Sequence, residues 1–209
     1  KRIDAAVLKI TNYIIVSEEM LEDVQGLTSY IMARLPEKIK NKEDLTILTH
    51  ATYGILPLAT AYVDTLADSK VQRIDVLVAA LTQAKVAEYS PTAILLNPAD
   101  AKLMKLTKDD NGQYIFPWVF MNGGVVVDSI PVIESTAMTS GSFLVGDFKL
   151  GAQIFDRRQM TIEFSNTNED NFVKGMVTVR GSERIAIAVY RPNAFVYGTF
   201  ASALAKGSA

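Results

Sequence analysis

His50 is the only histidine in a chain that has no cysteine, so a catalytic triad or an imidazole-ligated metal would have to be built on it. Its neighbours Thr49 and Tyr53 supply no nucleophile–base pair at a usable spacing, and His50 reads as a structural or exposed residue. Asp109-Asp110-Asn111-Gly112 has the flavour of a calcium loop. It lacks the alternating acidic positions and the closing glutamate of that motif, and reads as a solvated turn. Gly146 to Gly151 spans the length of a phosphate loop, but Ala152 and Gln153 follow where lysine and serine or threonine are needed. Ser140-Gly141-Ser142 does not set a serine between glycines at the spacing of a nucleophile elbow. Glu163, Glu169 and Asp170 could be imagined as paired carboxylates, yet the last two lie in a polar turn where charges are solvated. None of these groups carries a reaction. The reading is a protein that is not an enzyme and has no cofactor or metal.

The composition narrows the classes further. Of 209 residues, 49% are hydrophobic, which suffices for a sizeable core in one domain or two small ones. Lys and Arg number 21 against 23 Asp and Glu. This balance gives no electrostatic ground for tight nucleic-acid binding, which needs clustered basic charge. Without cysteine there is no disulfide framework or thiolate metal site. No apolar run reaches the roughly 18 residues that span a bilayer.

The elements that must position these residues can be read in order. Ala5 to Val16 predicts a strand, irregular near Thr11-Asn12. Ser17 is an N-cap, with Glu18 and Glu19 complementing the helix dipole. Leu21, Val24, Leu27, Ile31 and Leu35 recur at helical steps and predict an amphipathic helix of about five turns, with Leu27 and Ile31 buried. Pro36 should end or kink it. Residues 41–67 are less defined, with a short helix over Asp44 to Leu48 and an irregular stretch at Gly54 and Pro57. Ser69 and Gln72 predict a capping box, opening a helix whose buried face is Val71, Ile74, Leu77, Val78, Leu81 and Lys85. Thr92 to Leu96 is a buried strand. Asn97 caps a further helix, with Pro98 at its first position. Tyr114 to Phe116, Val125 to Val127 and Ser129 to Ile133 are strands, the last near a sheet edge because of Pro131.

The last third is a string of strands. Phe143 to Val145 is a short apolar run stopped by Gly146-Asp147. Met160 to Ser165 alternates apolar with polar. Val177 and Val179 share one face, and Ile185 to Tyr190 is apolar on both, as inside a sheet. The polar segment Asn166 to Asn171 makes a long hairpin with a solvated turn.

This stretch resembles the major capsid (head) protein family of tailed bacteriophages. The shared features are Phe143 to Gly146, Asp156-Arg157, Met160 to Ser165, Asn171 to Lys174, Glu183-Arg184, Arg191-Pro192 and Ala194-Phe195, in the family's order. Val16 to Asp23, reading VSEEMLED, is similar to the family's entry into a long spine helix. Ser90 to Asp100 and the turn Lys108 to Tyr114 also match. The resemblance is weakest over 41–67 and 117–128.

The resemblance implies an α+β fold with discontinuous subdomains: a peripheral one from 1–45 and 157–182, and an axial one from 46–156 and 183–209. It implies a coat subunit that self-assembles through hexamers and pentamers into an icosahedral head. The implied partners are portal, scaffold or maturation protease and a decoration protein, with packaged DNA contacted only weakly and no membrane. The implied location is the virion, assembled in the bacterial host cytoplasm. An encapsulin-like compartment is the alternative within the fold, and a small α+β enzyme the alternative outside it. In a shell protein, opposite charges on separate edges fix subunit register. Arg157, Arg158, Glu169 and Asp170 are therefore the subunit-interface candidates. The family normally carries an N-terminal arm and an extended loop before the spine-helix strand. Lys1 starts too late to hold both, so these residues alone should stay in small oligomers or as monomers. Some members also join subunits by an isopeptide bond between a loop lysine and an asparagine after Phe-Val-Lys, with a nearby glutamate as base. Here those positions are Gly175 and Ser182, so a noncovalent shell is expected.

Overall fold

The computed structural model describes residues 5–24, 26–66, 71–108, 112–114 and 125–201. The chain divides into two compact units. One is 1–47 with 154–188, the other 48–153 with 189–209. The second return falls after Ala188 rather than at the expected Ser182, because Ala186 is still paired with Val7 in the first unit's sheet.

The first unit is a three-stranded sheet in the order β1-β8-β7, accompanied by a long helix. Strand β1 (Val7–Ser17) runs antiparallel to β8 (Met176–Val189) in unbroken register from Val7↔Ala186 to Ser17↔Met176. The expected irregularity at Thr11-Asn12 is therefore absent: Thr11 faces Ser182 and Asn12 faces Gly181 within a continuous ladder. Strand β7 (Ala152–Ser165) and β8 are the arms of the predicted long hairpin. Met176 to Arg180 and Ile185 to Tyr190, read separately in the sequence, belong to one strand except for Tyr190.

The predicted first helix is broken in two. Ser17 accepts from the Met20 amide at 3.3 Å and starts α1 (Glu18–Asp23), as its side chain dictates. The chain then turns through Gly26 at φ +90, a conformation that glycine adopts without steric cost. Helix α2 follows from Leu27 to Thr49 with Pro36 inside it. Pro36 thus does not end the helix, and Asp44 to Leu48 is its last part rather than a separate short helix. The offset also moves the buried face. Ile31, Leu35 and Ile39 are buried, while Val24 is exposed and Leu27 only half-buried.

Close packing of α2 on the sheet depends on Gly181. A Cβ there would lie 2.2 Å from Ile39 Cδ1 and 3.2 Å from Leu35 Cγ. Only glycine lets the helix come this close. The Lys42 ammonium donates to the Thr11 carbonyl at 2.8 Å, tying the same helix to β1.

The second unit is built on a six-stranded mixed sheet, β2-β9-β6-β3-β5-β4. Its strands are β2 (Thr60–Ala61), β3 (Ala93–Leu96), β4 (Val126–Val127), β5 (Ile130–Glu134), β6 (Ser142–Gly146) and β9 (Phe195–Thr199). Strand β6 is buried at every position, as its apolar run requires in a central strand. Helix α4 (Arg73–Val86) lays Val76, Leu77, Ala80, Leu81 and Ala84 into the core formed with β4, β6 and β9. Of the predicted face, Leu77 and Leu81 are buried and Val71 and Ile74 pack against the core, but Val78 and Lys85 are exposed and the small residues Ala80 and Ala84 complete the buried stripe. The capping box is also displaced, formed by Gln72 with Asp75; Ser69 lies outside the described residues.

Phe143 is the centre of this core. Its ring meets Tyr62 edge-on at 5.5 Å and Phe200 at 5.1 Å. The small helix α3 (Ile55–Leu58) stands where an irregular stretch was expected. Helix α5 (Pro98–Lys105) has the predicted Asn97 cap, whose side chain accepts from Ala99 N–H and donates to the Met138 carbonyl. A short helix α6 (Phe148–Gly151) is capped by the buried Asp147. Strand β5 lies next to the edge strand β4, in line with Pro131. Tyr114 forms an isolated bridge with Lys108; the strand expected over Tyr114 to Phe116 otherwise lies outside the described residues.

Candidate functional site

Among the described residues, the chemistry-bearing side chains do not converge; Asp109, Asp110 and Asn111 lie outside the described residues. His50 uses its Nδ1 to accept from the backbone amides of Thr52 and Tyr53, at 3.3 and 3.2 Å, and its ring stacks on Tyr53. It closes a turn. Among the described residues there is no group of three His, Cys, Asp or Glu placed to hold a metal. No described helix is long and apolar enough to cross a membrane.

What the first unit presents instead is a shaped and charged surface. Its hairpin loop, between β7 and β8, is tightly held. Asn171, only 8% exposed, donates through Nδ2 to the Thr178 hydroxyl at 2.8 Å. The Met176 amide donates back to the Asn171 carbonyl, also at 2.8 Å, and Glu18 N–H donates to the Gly175 carbonyl at 2.9 Å. The anchored loop pushes Phe172 and Val173 outward, 74% and 86% exposed. Two adjacent apolar side chains on an ordered, polar tip are the feature that the sequence reading missed. The signal was the phrase Asn-Phe-Val-Lys, read only as a shared motif.

The four candidate interface residues fall on this hairpin. Arg157 and Arg158 lie in β7, and Glu169 and Asp170 in the loop, Glu169 at φ +49. The structure does not join the two pairs. Arg158 meets Glu163 at 3.5 Å, and Asp170 meets Lys174 at 3.7 Å. Arg157 and Glu169 form no ion pair among the described residues. Glu163 also accepts from Arg180 across the strands. The Arg180 hydrogen bond, then its charge, hold the Glu163 carboxyl below the usual glutamate range. On the same face a groove of about 490 Å³ is lined by Tyr13, Glu163, Asn168, Thr178 and Arg180. Tyr13 is 62% exposed, and Ile15 beside it is also open to solvent.

On the inner side of the sheet, Glu183 is buried opposite Ile10, and its Oε1 has no hydrogen-bond partner. Burial, then the charge of Asp156, push the Glu183 carboxyl up, with Lys40 opposing. Glu43 is pushed up in the same way, first by burial and then by Glu183, Asp156 and Asp44. Sequence reading gave no sign of this cluster, because its members come from three elements.

Comparison with known proteins sets this surface in context. The chain is 36% identical over 205 residues to the major capsid protein of Enterobacteria phage HK97, covering 95% of this chain and 53% of that one. It thus spans about half the length of that relative. A chain from Gordonia phage Cozz superposes with a TM-score of 0.75 at 17% identity, covering 93% of this chain and 70% of that one. The capsid of an empty GTA particle superposes with a TM-score of 0.71 at 16% identity, covering 94% and 72%. The fold is therefore that of phage capsid subunits. The phage capsid family model matches residues 1–200, and the chain belongs to that family.

Proposed function

We propose that this chain is the shell-building part of a coat subunit that self-assembles through hexamers and pentamers into the head of a tailed phage or prophage. The observation that supports this best is the family match along 1–200, in a molecule whose exposed features are edges and a projecting tip. The first unit is read as the peripheral domain and the second as the axial domain. Many weak contacts, closed by symmetry, would supply the stability of the shell. Of the four interface candidates, Arg157 and Glu169 are the two that form no ion pair among the described residues. They are the pair to carry register between copies. Portal, scaffold or protease and a decoration protein would be the further partners, and the virion the location.

The test is negative-stain imaging of the full-length gene product. Closed shells or capsomer rings support the reading; a monodisperse monomer under all assembly conditions refutes it. Arg157→Glu should lower the yield of shells, and Glu169→Arg in the same chain should restore part of it. The shell should also be noncovalent. Gly175 offers no side-chain amide and Ser182 is a far weaker base than a carboxylate. Denaturing gels of mature particles should show one subunit band, and a ladder of multimers linked through this region would overturn that expectation.

A further inference from the structure

Buried carboxylates are normally paired, and the cost of leaving one unpaired is several kcal/mol. Glu183 is 7% exposed, sits on the helix-facing side of β8 with Val179, Gly181 and Ile185, and leaves Oε1 without a partner. Two further carboxylates act on the same region. Glu43, half-buried, comes from α2, and Asp156 from β7. Asp44 adds a fourth negative charge from α2, felt at Glu43. Among the described residues, the cation acting on both Glu43 and Glu183 is Lys40, also from α2. Lys42 on that helix is committed to the Thr11 carbonyl of β1, and β1 sets the apolar Ile10 opposite Glu183. Glu183 lies in the layer where Leu35 and Ile39 close on Gly181, while Asp156 and Asp44 are exposed.

We propose that Glu183 and Glu43, under the negative charge of Asp156, form a proton-operated latch between α2 and the three-stranded sheet. A proton held in the cluster keeps helix and sheet drawn together, and full ionisation loosens them. The direction follows from linkage. A carboxyl whose folded value is raised makes the folded state bind more protons than the unfolded chain. Its stabilising effect is fully present below the ordinary carboxylate value. It is lost as pH rises through the raised folded value. Mild acid therefore tightens this unit. Glu163 has the opposite sign, since its lowered value makes its contribution disappear as pH falls through the folded value.

The experiment compares the 209-residue chain with Glu183→Gln at pH 7.5 and pH 5, by thermal midpoint and by hydrogen exchange of the α2 amides corrected for intrinsic rate. The expected result is a midpoint several degrees higher for Glu183→Gln at pH 7.5, with the gap narrowing at pH 5. The wild-type α2 amides should gain protection on acidification, and those of the variant should not. Lys40→Met should lower the midpoint at pH 7.5 and lose most of that effect at pH 5. An offset identical at both pH values for Glu183→Gln overturns the latch, as does pH-independent protection of α2. Should Glu183→Gln not fold, Glu43→Gln and Lys40→Met are measured the same way, and a pH-independent offset in both overturns it.

Discussion

The two units solve the problem of stability differently. The second is built round one enclosed core: α4 covers a sheet whose central strand β6 is buried throughout, and Phe143, Val145, Val196 and Phe200 share that core with the helix, while Val63, Val86 and Leu150 stay exposed outside it. The first has one helix against a three-stranded sheet and leaves much of its apolar surface open. Tyr13, Ile15, Phe164, Phe172 and Val173 are all exposed, and β7 is exposed at every position from Gln153 to Gln159. Scattered exposed apolar residues are ordinary. The hairpin tip instead sets two of them side by side, Phe172 and Val173, on a loop held by its own hydrogen bonds. One unit has a large enclosed core; the other leaves two adjacent apolar side chains exposed at its tip.

The sharpest way to break that comparison is to empty the second unit's core. Phe143→Ala removes a ring with no solvent exposure that meets two other aromatics. It should cost about 3–5 kcal/mol, the usual range for a buried phenylalanine, read by denaturant unfolding. A loss below about 1 kcal/mol would mean that this core is no tighter than the other unit.

The next effect belongs to the first unit's one close contact. Gly181→Ala forces a Cβ against Ile39 Cδ1 and should cost about 1–3 kcal/mol through overpacking. Ile39→Val shortens the side chain that clashes, so the double variant should recover part of the loss. Simple additivity of the two losses would show that they do not touch.

How far this was readable in advance differs between the units for a physical reason. Strand β6, the Asn97 cap and the β7–β8 hairpin follow from local signals: an unbroken apolar run, a capping side chain before proline, and alternation around a polar turn. The helix faces were read in part, Ile31 and Leu35 on α2 and Leu77 and Leu81 on α4 being buried as expected, and the rest was missed because it depends on phase. One glycine at φ +90 splits α1 from α2 and resets the register, so Val24 turned outward and Ile39 inward. On α4 the buried stripe uses Ala80 and Ala84, whose small side chains give a weak periodic signal beside Val78. Among the site residues, the hairpin charges could be read along the chain, but their partners within the chain could not. Glu163, Lys174 and Arg180 were needed, and cross-strand neighbours follow from register rather than from sequence distance. The Glu183 cluster was illegible because its acids lie far apart in the chain.

The smallest expected effect on stability tests the comparison from the other side. Phe172 and Val173 are held outward by a loop whose own bonds run through Asn171, Thr178, Gly175 and Glu18, none of which uses the two side chains. Replacing both with serine removes apolar surface that the isolated subunit does not bury. The unfolding midpoint of the free chain should therefore stay within about 0.5 kcal/mol of wild type, the range for surface changes away from structural features. In the full-length protein the same double variant should assemble poorly, since the lost apolar area is lost at the contact and not in the fold. Sedimentation of assembly reactions reads the second quantity and denaturant unfolding the first. A variant destabilised by more than about 1 kcal/mol would place the two side chains in the subunit's own packing. A variant of normal stability that assembles as well as wild type would show that the tip carries no subunit contact.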